Sequence, residues 1–194
     1  MLRIPPLEVQ TSFMASKQIN CMDMPVDFLS QDAVAPERVA ELLDLCFGPA
    51  RQKRTASLLR AAATRIDRAS FVALDGDDLV GSVECWELEW RHPMGNRRIA
   101  LLGPLVSHPD RRGEQIGVRL MDLALAELDA MHLPVMLIGN EPYYRRWGFS
   151  AQHTGEWILP GPVDRDRLLL RAKAGHRLRG PAQLMAHGVG SAAA

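Results

Sequence analysis

No net charge remains when the 23 lysines and arginines are set against the 23 aspartates and glutamates. A chain so balanced has no overall field to draw it to nucleic acid, an anionic membrane or a strongly charged substrate, so any such preference has to be local. No run approaches the roughly 20 apolar residues that a membrane-crossing helix needs. Met1 to Asn20 likewise lacks the charged segment and apolar core of a secretion signal. Cysteine is scarce: Cys21, Cys46 and Cys85 are odd in number and have no metal-ligand spacing. They are expected to be reduced thiols of a cytoplasmic protein with no metal and no nucleic-acid or membrane partner. No Walker lysine follows the glycines and no full dinucleotide fingerprint is present, which argues against nucleotide-binding enzymes of other folds.

What is present suffices for one domain. The chain has 194 residues, 47% of them hydrophobic and 24% charged, enough for a single buried core. Residues 1–24 read as an N-terminal extension, 25–173 as the folded domain and 174–194 as a C-terminal tail. Val39, Leu42, Leu43 and Cys46 recur at helical spacing behind Pro36, and Gly48-Pro49 stops that helix. A second helix is expected from Arg51 to about Ile66, with Leu58, Leu59, Ala62 and Ile66 on its apolar face. The period then changes. Ser70–Leu74 and Leu79–Leu88 flank Asp75-Gly76-Asp77-Asp78 as a hairpin. Ile99–Val106 reads as a buried strand broken by Gly103-Pro104, where a bulge or the end of pairing is expected. Gln115–Met131 reads as a helix and Leu133–Gly139 as another buried strand, giving strand, crossover helix, strand. A short helix over Pro142–Arg146 and strands near Phe149–Leu159 and Arg167–Ala172 complete a mixed α/β layout.

The segment from Val106 to Met121 carries the chemistry. It runs from a buried strand through a basic turn containing Arg111, Arg112 and Gly113 into a helix that starts near Ile116, Gly117 and Val118. Backbone N–H groups converging at such a turn, the positive end of the helix and nearby arginines together bind a pyrophosphate. Leu105–Gly117 resembles the acetyl-CoA-binding motif of the GNAT N-acetyltransferase superfamily, Arg/Gln-x-x-Gly-x-Gly/Ala after a strand, with Arg112 opening the loop and Gly117 closing it. Gln115 departs from the pattern at the middle glycine. A side chain there either narrows the space beside the phosphate or donates its amide to a phosphate oxygen. Gly139–Phe149 is similar to the second motif of the superfamily, which ends Tyr-x-x-x-Gly-Phe, and the Leu159–Asp164 segment resembles a loop of a bacterial branch of predicted acetyltransferases.

The resemblance implies a GNAT fold, a mixed central sheet of about six to seven strands flanked by helices, with two parallel strands splayed apart to form the acyl-CoA cleft. It implies acetyl-CoA, or another acyl-CoA, as co-substrate. Leu105, Val106 and Ser107 then offer backbone to pantetheine; Arg111, Arg112, Gly113, Gln115, Ile116, Gly117 and Val118 surround the pyrophosphate; Asn140 contacts pantetheine; and Tyr144 protonates the departing thiolate. The base for the acceptor amine is open among Glu84, Glu87, His108 and water. Glu84 points into the cleft if Val83 and Cys85 face the other way. The implied activity is acyl transfer to a primary amine of a small molecule or peptide. Two alternatives stand beside it: a catalytically degenerate domain that senses CoA or binds a protein, and an acyltransferase fed by acyl carrier protein through Arg111, Arg112, Arg119, Arg145 and Arg146. Trp86, Trp90, Trp147 and Trp157 are candidates for a pocket wall. A homodimer is allowed as an assembly.

Overall fold

The computed structural model describes residues 26–173 and 178–187. The N-terminal extension, Cys21 and most of the expected tail beyond Ala186 lie outside the described residues. Among the described residues the chain forms eight strands and four α-helices: β1 (Asp27–Ser30), α1 (Pro36–Phe47), α2 (Thr55–Arg60), β2 (Phe71–Asp75), β3 (Asp78–Arg91), β4 (Arg97–Ser107), α3 (Ile116–Ala130), β5 (Val135–Ile138), α4 (Glu141–Tyr144), β6 (Trp157–Ile158), β7 (Leu168–Arg171) and β8 (Ala182–Ala186). No helix among them is long and apolar enough to cross a membrane.

The strands join in one mixed sheet whose main path runs β1-β2-β3-β4-β5-β7, with β8 on β3 and β6 on β8; pairing is antiparallel except where β4 runs parallel to β5 through the α3 crossover and β6 parallel to β8. β3 organises it. Its first half pairs with β2, its second half with β8, and its opposite edge with β4 along almost its whole length. The expected six to seven strands are therefore eight. β1 gives little signal at four residues, only one of them better than exposed. β8 lies in the stretch read as a tail, where Ala182, Leu184 and Ala186 turn inward at period two and close the open half of the β3 edge.

The second helix is also shorter than its periodicity suggests. Pro49–Lys53 forms a 3-10 turn, α2 ends at Arg60, and the chain then runs along β3: Glu87 N donates to Thr64 O (2.8 Å) and Ile66 N to Cys85 O (2.7 Å). Two strand-type hydrogen bonds at an otherwise open edge outweigh the helical tendency of Ala61–Ile66.

The sheet buries a core on each face. α3 packs Ile116, Leu120, Met121 and Leu128 onto Val83, Cys85, Ala100 and Leu102. The other face sets Leu59 of α2 with Leu88, Trp90, Leu101 and Trp157, while α1 packs Val39, Leu42 and Leu43 against Val72 and Val106. α3 is tied at its C-terminal end, where Arg171 forks Asp129 through Nη1 (2.6 Å) and Nη2 (2.8 Å) and donates Nε to Trp147 O (2.8 Å). That guanidinium holds the Asp129 carboxyl below its usual pKa. At the opposite end α3 meets β3 at Gly81, where a Cβ would stand 2.7 Å from Ile116 Cγ2 and 2.9 Å from Leu120 Cδ1. Gly81→Val is expected to lower stability by about 1–3 kcal/mol, the usual penalty for overpacking. Urea unfolding with an unchanged slope and a lower midpoint would register it.

Candidate active site

β4 and β5 pair for only two residues, Ala100 with Val135 and Leu101 with Met136. Beyond them the strands part, because each is anchored on its outer edge. β5 is paired to β7 through Ile138, and β4 to β3 through Ser107. The expected interruption at Gly103-Pro104 is a bulge: register shifts between Val83 opposite Leu105 and Cys85 opposite Leu102, so Glu84 alone faces two residues. Gly103 takes φ +128°, a conformation that L side chains rarely adopt. The gap opens into a cavity of about 870 Å³ walled by Leu101–Leu105 on one side and Leu137–Asn140 on the other. α2, Tyr143, Tyr144 and the 162–164 loop complete it. Beyond Leu101 the β5-facing backbone of β4 thus has no strand opposite it.

The strand continues into the basic turn. His108 N donates to Val80 O (2.8 Å), and the His108 Nδ1 caps the turn by accepting from Asp110 N (3.3 Å). Arg111 is committed within the protein. It forks Glu114 through Nε and Nη2 (2.6 Å each) and reaches Asp75 of the hairpin turn through Nη1 (2.6 Å). Arg111 in turn holds the Glu114 carboxyl below its ordinary range. Arg112 is exposed and makes no side-chain hydrogen bond or ion pair among the described residues; its charge is felt at the Cys46 thiol, whose pKa burial raises and Arg112 draws back. Gly113 takes φ +94°, and Gln115 sits at φ 59°, ψ 16° as the N-cap of α3. The space where a Cβ would project from Gly113 or Gly117 is open. Ile116 is buried under the turn, and Gly117 and Val118 are half-exposed on the first turn of α3. An exposed guanidinium, a helix N-terminus and backbone unshielded by side chains fit a bound pyrophosphate.

At the other wall, Asn140 caps α4 through its carbonyl, which accepts from Tyr143 N (3.0 Å) and Tyr144 N (3.2 Å), leaving its exposed side chain at the cavity. Tyr144 lines the same cavity, with its ring packed edge-on against Phe149 and Tyr143. Gly139 permits this: a Cβ there would fall 2.3 Å from Tyr144 Cε2. Burial pushes the Tyr144 phenol up to about 12, Tyr143 adds to the rise, and Arg167 opposes it.

The family model described as the acetyltransferase (GNAT) domain matches residues 32–151. The chain belongs to the GNAT acetyltransferases. Solved structures agree on the fold. A GNAT family acetyltransferase from Brucella melitensis in complex with acetyl-CoA superposes with a TM-score of 0.55 at 21% identity, covering 84% of this chain and 97% of that one. A GNAT family N-acetyltransferase from Escherichia coli in complex with CoA gives 0.63 at 17% identity, covering 81% and 88%. A GNAT family acetyltransferase from Staphylococcus aureus gives 0.52 at 12%, covering 75% and 97%. No curated protein sequence gives a significant match. Membership makes an acyl-CoA the co-substrate. No group of three or more His, Cys, Asp or Glu among the described residues is placed to hold a metal ion.

In this GNAT domain the cavity gathers Leu105, Asn140 and Tyr144, while Val106 and Ser107 continue the same strand toward the basic turn. Val106 is buried against α1, and Ser107 O accepts a weak hydrogen bond from Cys46 Sγ (3.6 Å). Val83 and Cys85 do face α3, so Glu84 lies on the α2 face, yet it does not line the cavity; Gln31 Nε2 holds its Oε1 at 2.8 Å. Glu87 pairs with Arg98, and the His108 Nδ1 is occupied as a cap. None of the four tryptophans walls the cavity: Trp90 and Trp157 are core, Trp86 packs against it, and Trp147 donates to Asp122 Oδ1 (2.7 Å). Several lining residues escaped the sequence reading as site groups, Arg60, Gly139 and Arg167 among them. Gly139 lay inside the second motif, but its close approach to Tyr144 has no local signature. Because Gln115 holds a left-handed conformation that costs a side-chain-bearing residue about 1 kcal/mol, Gln115→Gly is expected to raise the free energy of chemical denaturation by about that amount.

Proposed function

We propose that this protein moves an acetyl group from acetyl-CoA to a primary amine by direct attack, with Tyr144 as the general acid. The observation that carries the reading is the two-residue β4–β5 pairing, which leaves strand backbone and the Tyr144 phenol facing one cavity. Arg112, the N–H groups around Gly113 and Gln115, and the first turn of α3 hold the pyrophosphate. Leu105, Val106 and Ser107 pair with the pantetheine arm as a missing strand would. Asn140 supplies a further amide from across the gap.

When bound, acetyl-CoA presents an activated thioester. The amine nitrogen adds to its carbonyl carbon, and the oxygen takes up negative charge that a β4 backbone N–H facing the gap stabilises. As the carbon–sulfur bond breaks, Tyr144 gives its hydroxyl proton to the thiolate sulfur. The proton lost by the amine passes to water. A phenol that stays protonated through neutral pH suits a leaving thiolate of pKa about 8.5.

Two substitutions separate the roles. Tyr144→Phe is expected to cut kcat by about 100-fold with less than a twofold change in acetyl-CoA affinity. Arg112→Ala is expected to weaken that affinity roughly tenfold or more, as loss of a charge-assisted hydrogen bond does. Calorimetry and steady-state kinetics read both, and equal losses of kcat and affinity in Tyr144→Phe would remove it from the chemistry.

The pH profile tests the same acid. Because burial raises the phenol to about 12, its donor form persists as pH rises through its unperturbed value of ~10 and is lost only near the raised one. Log kcat should climb as the acceptor amine deprotonates and then stay level to about pH 10. A descending limb in the wild type at about pH 9 would assign the proton to another group.

A further inference from the structure

We propose that the acceptor is an amine that also carries a carboxylate, and that Arg60 holds that carboxylate. The inference rests on the acyl-transfer reading of the cavity and names the class of its second substrate. Although the chain as a whole is neutral, the cavity is not: Arg51, Lys53, Arg54, Arg60 and Arg167 line it against one carboxylate, Asp164. Asp164 is itself engaged, accepting from Asp166 N (3.1 Å) to cap its own turn. Arg51 is paired with Asp44 (2.7 Å), and Arg54 lies over the Phe47 ring at 5.4 Å. Arg60 differs from both. It is half-buried, has no ion pair among the described residues, and makes one side-chain hydrogen bond, Nη2 to Ser57 Oγ (2.9 Å). Burial lowers its pKa, the Glu84 carboxylate draws it back up and Arg51 pushes it down again. Glu84 is already held by Gln31. A guanidinium whose five N–H donors make one hydrogen bond, to Ser57 Oγ, is left poised for a planar two-oxygen partner.

The phosphates of acetyl-CoA are not that partner. α3, with the pyrophosphate turn at its start, packs on the face of the sheet that carries Val83, Cys85 and Leu102. Leu59, the neighbour of Arg60, packs on the opposite face with Leu88, Leu101 and Trp157. α3 and Arg60 thus lie on opposite faces of the sheet, and the gap between β4 and β5 is the passage at which thioester and acceptor meet. A cavity walled in this way repels a polycationic amine and favours one whose ammonium is balanced by an acid group.

The test measures product-like ligands, so it needs no turnover. N-acetyl-L-glutamate and N-acetylglycine, with their uncharged amides, are titrated into the full-length protein by calorimetry, with and without CoA. The carboxylates are expected to bind at least tenfold more tightly than the amides. Arg60→Gln should abolish that preference without changing acetyl-CoA affinity. Arg60→Lys, which keeps the charge and loses the fork, should retain part of it and guards against a Gln variant that does not fold. Equal affinity of acids and amides, no binding of either, or a full preference surviving in Arg60→Lys and Arg60→Gln would overturn the proposal. Failure of acetyl-CoA itself to bind would instead count against the acyl-transfer reading, while the acid–amide comparison in the CoA-free protein still judges this one.

Discussion

Two parallel strands that begin to pair and then part are the constraint on which the rest of the molecule depends. A strand buried on both faces ordinarily spends its backbone donors and acceptors on neighbours, since an unpaired buried polar group costs about as much as a lost hydrogen bond. Here the separation is imposed from outside. β4 is locked to β3 and β5 to β7, so neither can swing across to close the gap. The bulge at Gly103-Pro104 shifts the register by one residue, yet β4 stays paired to β3 on both sides of it. The cavity is therefore a property of the whole sheet, maintained by hydrogen bonds several ångströms away from any substrate.

That arrangement divides labour between the two faces. One carries α3 and the proposed anion site; the other carries α1, α2 and the loops that would shape the acceptor end. The proposed anion site uses backbone and a single exposed arginine. The acceptor end is made from side chains on a six-residue helix and a short loop, where substitution alters chemistry without disturbing the sheet. Tyr144 packs against the α3-face core and still lines the cavity. Its position is fixed by the missing Cβ of Gly139 and the aromatic packing around Phe149.

The parts of this fold legible in the sequence are those whose signals are local. The hairpin around Asp75–Asp78, the bulge at Gly103-Pro104, the crossover helix and Tyr144 all follow from turn chemistry, period or motif, and the structure places each where the pattern does. What was not legible depends on partners remote in sequence. α2 stops at Arg60 because Thr64 and Ile66 are captured by β3. β8 exists because half of one β3 edge would otherwise be open. Arg111, a phosphate contact by motif, is taken by Asp75, a residue 36 positions away. Glu84 alternates as expected, but only the structure shows that Gln31 holds it and that it is not among the residues lining the cavity.

The clasp of Arg111 with Glu114 and Asp75 has one more consequence. It binds the pyrophosphate turn to the β2–β3 hairpin through exposed charges, and such pairs weaken as ions accumulate around them. With the polyanion on Arg112 as proposed, dissolved salt acts on this turn along two routes, shielding the ligand from Arg112 and loosening the brace that shapes the turn. The steepness with which affinity falls against ionic strength then counts more charges than ever touch the ligand.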